Sequence, residues 1–246
     1  MENKLVFAKE IIKEAGAFIK KSLSKTITVE EKSAFDDLVT NIDKQTQDLL
    51  VARIKSAFPT DNILAEENNM VHNIKDGNVW VLDPIDGTVN FIVQQDNFCV
   101  MIAYYEKGQG KFGLIYNVMA DQLFYGGGQF DVYCNDKLLS PYKRRPLDRC
   151  LVGSNAAMYA KNYHGIKGFI DKTLGVRVYG GAGLSMSKVL SGQILAYFSV
   201  IYPWDYAAAS IMGKKLGYQL ETITGELLDY SSRKAVMLVP KDRLEE

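Results

Sequence analysis

The segment Val79-Trp80-Val81-Leu82-Asp83-Pro84-Ile85-Asp86-Gly87-Thr88 constrains most of the chain around it. Its first four residues are β-branched, aromatic and aliphatic, which predicts a buried strand, with Pro84 as its stop. The strand delivers Asp83 at its carboxyl end, where open sheets place ligands. Asp83 is suited to cap a following helix, with Pro84 at the first helical position and Asp86 in the first turn. The N–H groups around Gly87 and Thr88 would then form an anion pocket, strengthened by the helix dipole. Two carboxylates beside such a pocket match the needs of a phosphate–Mg²⁺ complex, because hard divalent cations take oxygen ligands and Mg²⁺ shares its shell with substrate phosphate. A simple capped turn is the competing reading, since Asp, Pro and Gly all favour turns.

Working outward, Leu5, Ala8, Ile11, Ile12, Ala15, Phe18, Ile19 and Leu23 recur at three- and four-residue steps and predict an amphipathic helix at the start of the chain. A second helix is expected from Thr40 to Phe58, closed by Pro59, followed by a short strand at Asn62–Ala65. Strands at Asn97–Tyr105, Phe112–Val118 and Leu123–Tyr125 form a meander with glycine turns at Gly108, Gly110 and Gly126–Gly128. Pro141 and Pro146 bracket the basic run Lys143-Arg144-Arg145 and mark a linker. Beyond it, strands near Cys150–Ser154, Val176–Tyr179, Tyr218–Thr222 and Ala235–Val239 alternate with helices near Tyr163–Lys172, Ser185–Ser191 and Asp205–Leu216. Helices and a meander followed by alternation predict a layered α+β to α/β architecture.

Composition narrows the function. The 246 residues carry 29 Lys+Arg against 29 Asp+Glu, and this zero net charge argues against a nucleic-acid polymer as partner. Cys99, Cys134 and Cys150 form no C-x-x-C pair, and only two histidines are present, so neither a disulfide framework nor a His-rich zinc site is expected. The charged N-terminal stretch does not read as a signal peptide. The charge-free run from Val189 to Trp204 is shorter than the roughly 20 apolar residues of a membrane span. A soluble, cytoplasmic protein is the expectation, with no membrane partner.

Further acids flank the opening motif: Glu66-Glu67 end the short strand, Asp43 sits in the first turn of the second helix, and Asp205 follows Trp204 at the start of another. Taken alone, Glu66-Glu67 reads as a solvated face, Asp43 as a helix N-terminal acid, and Asp205 as either a cap or a ligand. The separation of Asp83 from Asp86 does not fit the Asp-x-Asp of aspartate-nucleophile phosphatases of the haloacid dehalogenase type. Taken together, Asp37-Leu38-Val39-Thr40 with Asp43, Leu64-Ala65-Glu66-Glu67, Asp83-Pro84-Ile85-Asp86-Gly87-Thr88-Val89-Asn90-Phe91, Trp204-Asp205-Tyr206-Ala207-Ala208-Ala209 and Thr224-Gly225-Glu226 resemble the inositol monophosphatase family of Mg²⁺-dependent, lithium-sensitive phosphatases.

That resemblance implies the αβαβα sandwich of the sugar-phosphatase superfamily. Residues 1–140 would form an N-terminal subdomain with most metal ligands, and residues 141–246 a C-terminal one completing the cleft. It implies Glu66, Asp83 and the carbonyl of Ile85 around one Mg²⁺, Asp83, Asp86 and Asp205 around a second, and Glu66 reaching a weaker third. Gly87 and Thr88 N–H groups would grip phosphate, with Asp86 and Asp205 also facing substrate. Thr88 with Asp43, or Glu66, would orient and deprotonate water for direct hydrolysis. Lys32 stands where the family places a basic residue near the site. Gly180-Gly181-Ala182 matches a substrate loop that normally reads Gly-Ser/Thr-Ala, so Gly181 removes a hydroxyl. Phe198 replaces a glutamate that inositol-specific members use to bind ring hydroxyls, and with Tyr197, Tyr202 and Pro203 it is expected to wall the leaving group. The implied substrate is inositol monophosphate or a related small ester, with the 2′-phosphate of NADP, nucleotides or broad sugar phosphates as alternatives and a homodimer as the assembly. A catalytically silent, metabolite-binding relative is the non-enzymatic alternative.

Overall fold

The structure is a computed structural model that describes residues 1–24, 26–32, 35 and 38–244, and the elements and counts given below refer to those residues. Asp37, quoted above in the first motif, lies outside them.

The chain runs α1 (Glu2–Ser22), β1 (Val29–Glu31), β2 (Leu38–Thr40), α2 (Asn41–Ala57), β3 (Asn62–Ala65), β4 (Asn78–Asp86), α3 (Thr88–Gln94), β5 (Cys99–Glu106), β6 (Gln109–Asn117), β7 (Gln122–Gly127), β8 (Phe130–Cys134) and β9 (Lys137–Leu138). It continues through β10 (Val152–Ser154), α4 (Ala156–Ala160), α5 (Ile166–Ile170), β11 (Val176–Arg177), α6 (Ala182–Leu190), β12 (Tyr197–Ile201), α7 (Pro203–Lys215), β13 (Tyr218–Thr222) and β14 (Lys234–Pro240). Strands β3 to β9 form a seven-stranded sheet in chain order, and β11-β10-β12-β14-β13 form a five-stranded one.

Side-chain alternation along the strands assigns the layers. In β4, Trp80 and Leu82 join a core with Leu5, Ile12 and Ile19 of α1 and Leu50 and Ile54 of α2. Val79 and Val81, on the other face, join Leu184 and Val189 of α6 and Tyr206 and Met212 of α7. That same core takes Val236 and Leu238 of β14, whereas Val152 and Val239 turn to Met158 of α4 and Ile166 and Ile170 of α5. The order is therefore helices, sheet, helices, sheet, helices: the expected αβαβα sandwich. Helices α6 and α7 lie between the sheets, which explains why α7 carries little amphipathic patterning: Ala207, Ala208, Ala209 and Met212 are all buried.

Three sequence expectations change. Strand β4 does not stop at Pro84. It continues to Asp86, with Asp83 opposite Met101 and Asp86 opposite Cys99, a one-residue bulge. Pro84 sits inside that bulge, where its missing N–H breaks no regular ladder bond. Consequently Asp83 caps no helix and Asp86 lies in a strand rather than in a helical turn. Helix α3 starts at Thr88, with Gly87 as its N-cap at φ +89°, a conformation that favours glycine. The sequence shows no alternation over β12, because Tyr197, Phe198 and Ser199 are all buried on a strand covered on both faces there.

The close approach of α7 to β6 positions the second half of the site. A methyl group on Gly113 would lie 2.3 Å from the Ala208 carbonyl oxygen and 2.7 Å from its Cα. Gly113→Ala is therefore expected to cost about 1–3 kcal/mol through overpacking. A urea unfolding midpoint equal to that of the parent would show that the helix yields instead.

Candidate active site

The parallel pairing of β3 with β4 sets Ala65 beside Leu82, so Glu66, the first residue past β3, falls beside Asp83, which is still within β4. Glu66 N donates to Leu82 O at 3.3 Å, which holds that register. In a regular strand, residues three apart face opposite sides; the extra residue in β4 shifts the phase, so Asp83 and Asp86 reach the same side. Asp205 comes from the first turn of α7. One carboxylate oxygen from each of Asp83, Asp86 and Asp205 lies within 4.8 Å of the others.

Each acid is held differently. Asp86 Oδ1 accepts from Ala182 N and its Oδ2 from Gly183 N, both at 2.9 Å, so it caps α6 from the other sheet. The Cys99 thiol also donates to Asp86 Oδ2, at 3.4 Å. Asp205 Oδ2 accepts from Tyr202 N at 2.7 Å. Asp83 is 1% exposed, and its Oδ1 has no hydrogen-bond partner. Burial, followed by the charges of Glu66, Asp86, Asp205 and Asp43, pushes Asp83 well above the usual carboxylate range. Burial likewise raises Asp86, and burial with the Asp86 and Glu66 charges raises Asp205. An unpartnered buried oxygen among like charges fits a bound divalent cation with hard oxygen ligands.

Glu66 stands outside this trio. Its Oε1 accepts from Lys32 Nζ at 2.8 Å, and Lys32 also donates to Glu67 Oε1. Burial raises Glu66 to about 7 against the opposing pull of Lys32. Asp43 completes a capping box with Thr40 at the start of α2, and Thr88 Oγ1 lies 3.2 Å from Asp43 Oδ1 and 3.1 Å from Ile85 O. Burial raises Asp43 to about 6.

The Gly180–Ala182 loop meets the same place from the second sheet. Gly180 has φ +79°, and a methyl on Gly181 would fall 2.8 Å from Asp86 Oδ2. Phe198 behaves differently from its expectation. Successive strand residues face opposite sides; Tyr197 faces the α6–α7 core and Ser185, while Phe198 packs edge-on to Phe169 at 5.9 Å and is 5% exposed. It therefore offers no open wall. Sequence reasoning assigned no role to Gln47, Asn90 or Cys99. Gln47 clamps the Glu67 backbone in both directions (2.7 and 2.8 Å), and Asn90 Nδ2 donates to Asn97 O and Tyr179 O at 2.9 Å. Asn90 was legible as part of the acidic motif, whereas Gln47 and Cys99 carry no local signal.

The sequence model of the inositol monophosphatase family matches residues 1–245. The chain belongs to that family. It is 38% identical over 237 residues to the inositol-1-monophosphatase of Bacillus subtilis, covering 94% of this chain and 89% of the relative. Inositol monophosphatase II of Staphylococcus aureus superposes with a TM-score of 0.87 at 31% identity, covering 98% of this chain and 90% of that one. An IMPase/NADP phosphatase solved with Mg²⁺ and phosphate superposes equally, at 0.87 and 26% identity, over 97% and 90% of the two chains. As a family member the protein is a Mg²⁺-dependent phosphoric monoester hydrolase. No helix among the described residues is long and apolar enough to cross a membrane.

The raised acids predict a pH dependence for the chelated protein. The unfolded chain releases these protons near pH 4, whereas the folded chain holds Asp43 to about 6 and Glu66 to about 7. Folding thus favours proton uptake in this window, and the stability these groups contribute is present at low pH and lost as pH rises towards 7. Melting in EDTA is expected at a lower temperature at pH 8 than at pH 5, with Mg²⁺ restoring more at pH 8. A chelated protein unaffected by pH across this range would remove the inference that burial holds these carboxylates protonated.

Proposed function

We propose that Asp83, Asp86 and Asp205, with Glu66 and the carbonyl of Ile85, hold two or three Mg²⁺ ions for direct attack of water on a small phosphate monoester. The observation that carries this reading is the buried trio with an unpartnered Asp83 oxygen. Bound there, Mg²⁺ offsets the carboxylate charge, polarises the phosphoryl oxygens and lowers the pKa of water. Thr88 Oγ1, 3.2 Å from Asp43 Oδ1, orients the attacking water, and Asp43 or Glu66 takes its proton. The N–H groups of Gly87 and Thr88 grip the phosphate, and Gly180, Gly181 and Ala182 border the leaving group.

Residues 1–140 and 141–246 act in this reading as two subdomains joined at the site. Its support is that each sheet draws on one stretch only, while Asp86 of the first accepts from Ala182 and Gly183 of the second. A cytoplasmic homodimer is the accompanying assembly, supported by the family resemblance and by free thiols at Cys99, Cys134 and Cys150.

Inositol monophosphate is accepted without strong selectivity. Gly181 brings no hydroxyl, and buried Phe198 brings no acceptor for ring hydroxyls, so the hydrogen bonds by which a site rejects other leaving groups are missing. The relative named as both IMPase and NADP phosphatase supports extending the range to NADP 2′-phosphate and other nucleotide esters. A panel of inositol monophosphate, NADP and adenosine 3′,5′-bisphosphate is expected to release phosphate with Mg²⁺ and none without it. No Mg²⁺-dependent release from any monoester would overturn the reading, and strict preference for inositol phosphate would overturn the broad selectivity.

Two variants test the roles. Asp83→Asn keeps shape but removes charge and is expected to bring turnover to background. Thr88→Ala is expected to lower kcat by about 10²-fold or more with little change in melting. Near-parental rates in either would refute the corresponding assignment.

A further inference from the structure

The far end of α7 from Asp205 borders a cleft of about 620 Å³, whose lining includes Tyr105, Ser210, Lys214, Lys215 and Tyr230 with the backbones of Gly108, Gly110 and Gly128. A second hollow of about 540 Å³ shares Ser210, Lys214 and Tyr230 and adds Gln219 and Lys241. Neither lining contains a carboxylate. Lys215 pairs with Asp131 at 3.4 Å, whereas Lys214 and Lys241 have no ion-pair partner among the described residues. Asp229 on the neighbouring turn is engaged by Ser231 N at 3.0 Å.

The tyrosine hydroxyls here are poorly satisfied, whereas Ser210 Oγ donates to Ala207 O at 2.9 Å. Tyr105 is 3% exposed, yet its hydroxyl lies 3.3 Å from that of Tyr230 and 3.4 Å from both Ser210 Oγ and Ala207 O, at the outer limit of hydrogen bonding. Tyr206, whose ring packs on Tyr230 at 5.3 Å, is fully buried with an unpartnered hydroxyl. Tyr206 lines neither hollow and bears on the cleft only through its packing against the Tyr230 ring.

We propose that this cleft is a second ligand site, for a phosphorylated polyol. Lys214, shared by both hollows, and Lys241, from the second, supply cations for the phosphate, while the hydroxyls of Tyr105 and Tyr230, Ser210 Oγ as an acceptor and the glycine backbone meet the hydroxyl groups. Asp205 in the first turn and Lys214 in the last are about 14 Å apart along α7. The two sites therefore share one helix but no side chain.

Chelation separates them, because without cations the carboxylate site repels phosphate. The full chain in EDTA is titrated calorimetrically with inositol 1-phosphate, inorganic phosphate and free inositol. Saturable binding of inositol 1-phosphate is expected, about tenfold tighter than inorganic phosphate, with none for inositol. The double variant Lys214→Ala, Lys241→Ala is expected to weaken binding tenfold or more while Mg²⁺-dependent hydrolysis and melting stay near parental. Tyr230→Phe, which keeps the ring packing, is expected to weaken it severalfold. Absence of saturable binding in EDTA, equal affinity for inorganic phosphate, or unchanged affinity in these variants would overturn the proposal.

Discussion

Mutual repulsion among buried carboxylates is the constraint around which this molecule is organised. Asp83, Asp86 and Asp205 crowd within 4.8 Å, with Glu66 and Asp43 close enough to act on them electrostatically. Removing charges from water is costly unless opposite charge or hydrogen bonds compensate. The chain supplies only partial compensation: two backbone N–H groups and a thiol to Asp86, one N–H to Asp205, and Lys32 to Glu66. Asp83 Oδ1 is left with none. The shortfall is local, and its oxygen-only chemistry fits a divalent cation.

The fold concentrates charge in this way through a few local devices. One extra residue in β4 brings two acids, otherwise on opposite faces, to one side of the sheet. Parallel pairing of β3 aligns Glu66 with Asp83. The shared middle layer does the rest: α6 offers its N-terminal amides to Asp86, and α7 brings Asp205 across from the second sheet. Close contact at Gly113 lets α7 approach closely enough for this. Core packing and site geometry are thus the same set of contacts seen at different depths.

How much was readable from the chain follows from how local each signal is. Helices α1 and α2 announced themselves by apolar spacing, and β3 by its bounded apolar run. The Asp-Pro-Ile-Asp-Gly-Thr block pointed correctly to acids at a strand end, but its geometry was misread. Pro84 looked like a stop because the partner strand that tolerates it, β5, is supplied by pairing. Phe198 looked like a substrate wall because position in a motif does not disclose which strand face is covered. The bonds of Gln47 to the Glu67 backbone and of Cys99 to Asp86 join segments distant in the chain, so neither leaves a local signal.

Composition, periodicity and motif order determined the layered fold, the family and the set of acids, because these depend on residue type and spacing along one segment at a time. Tertiary structure decided which acids converge, which one lacks a partner, and which side of β12 faces the site. Those outcomes depend on strand register, a bulge and helix approach, which arise only when separate segments pair. Electrostatic coupling falls off with distance through space, so a neutral chain can hold a strongly negative cleft at one end of α7 and a lysine-lined one at the other.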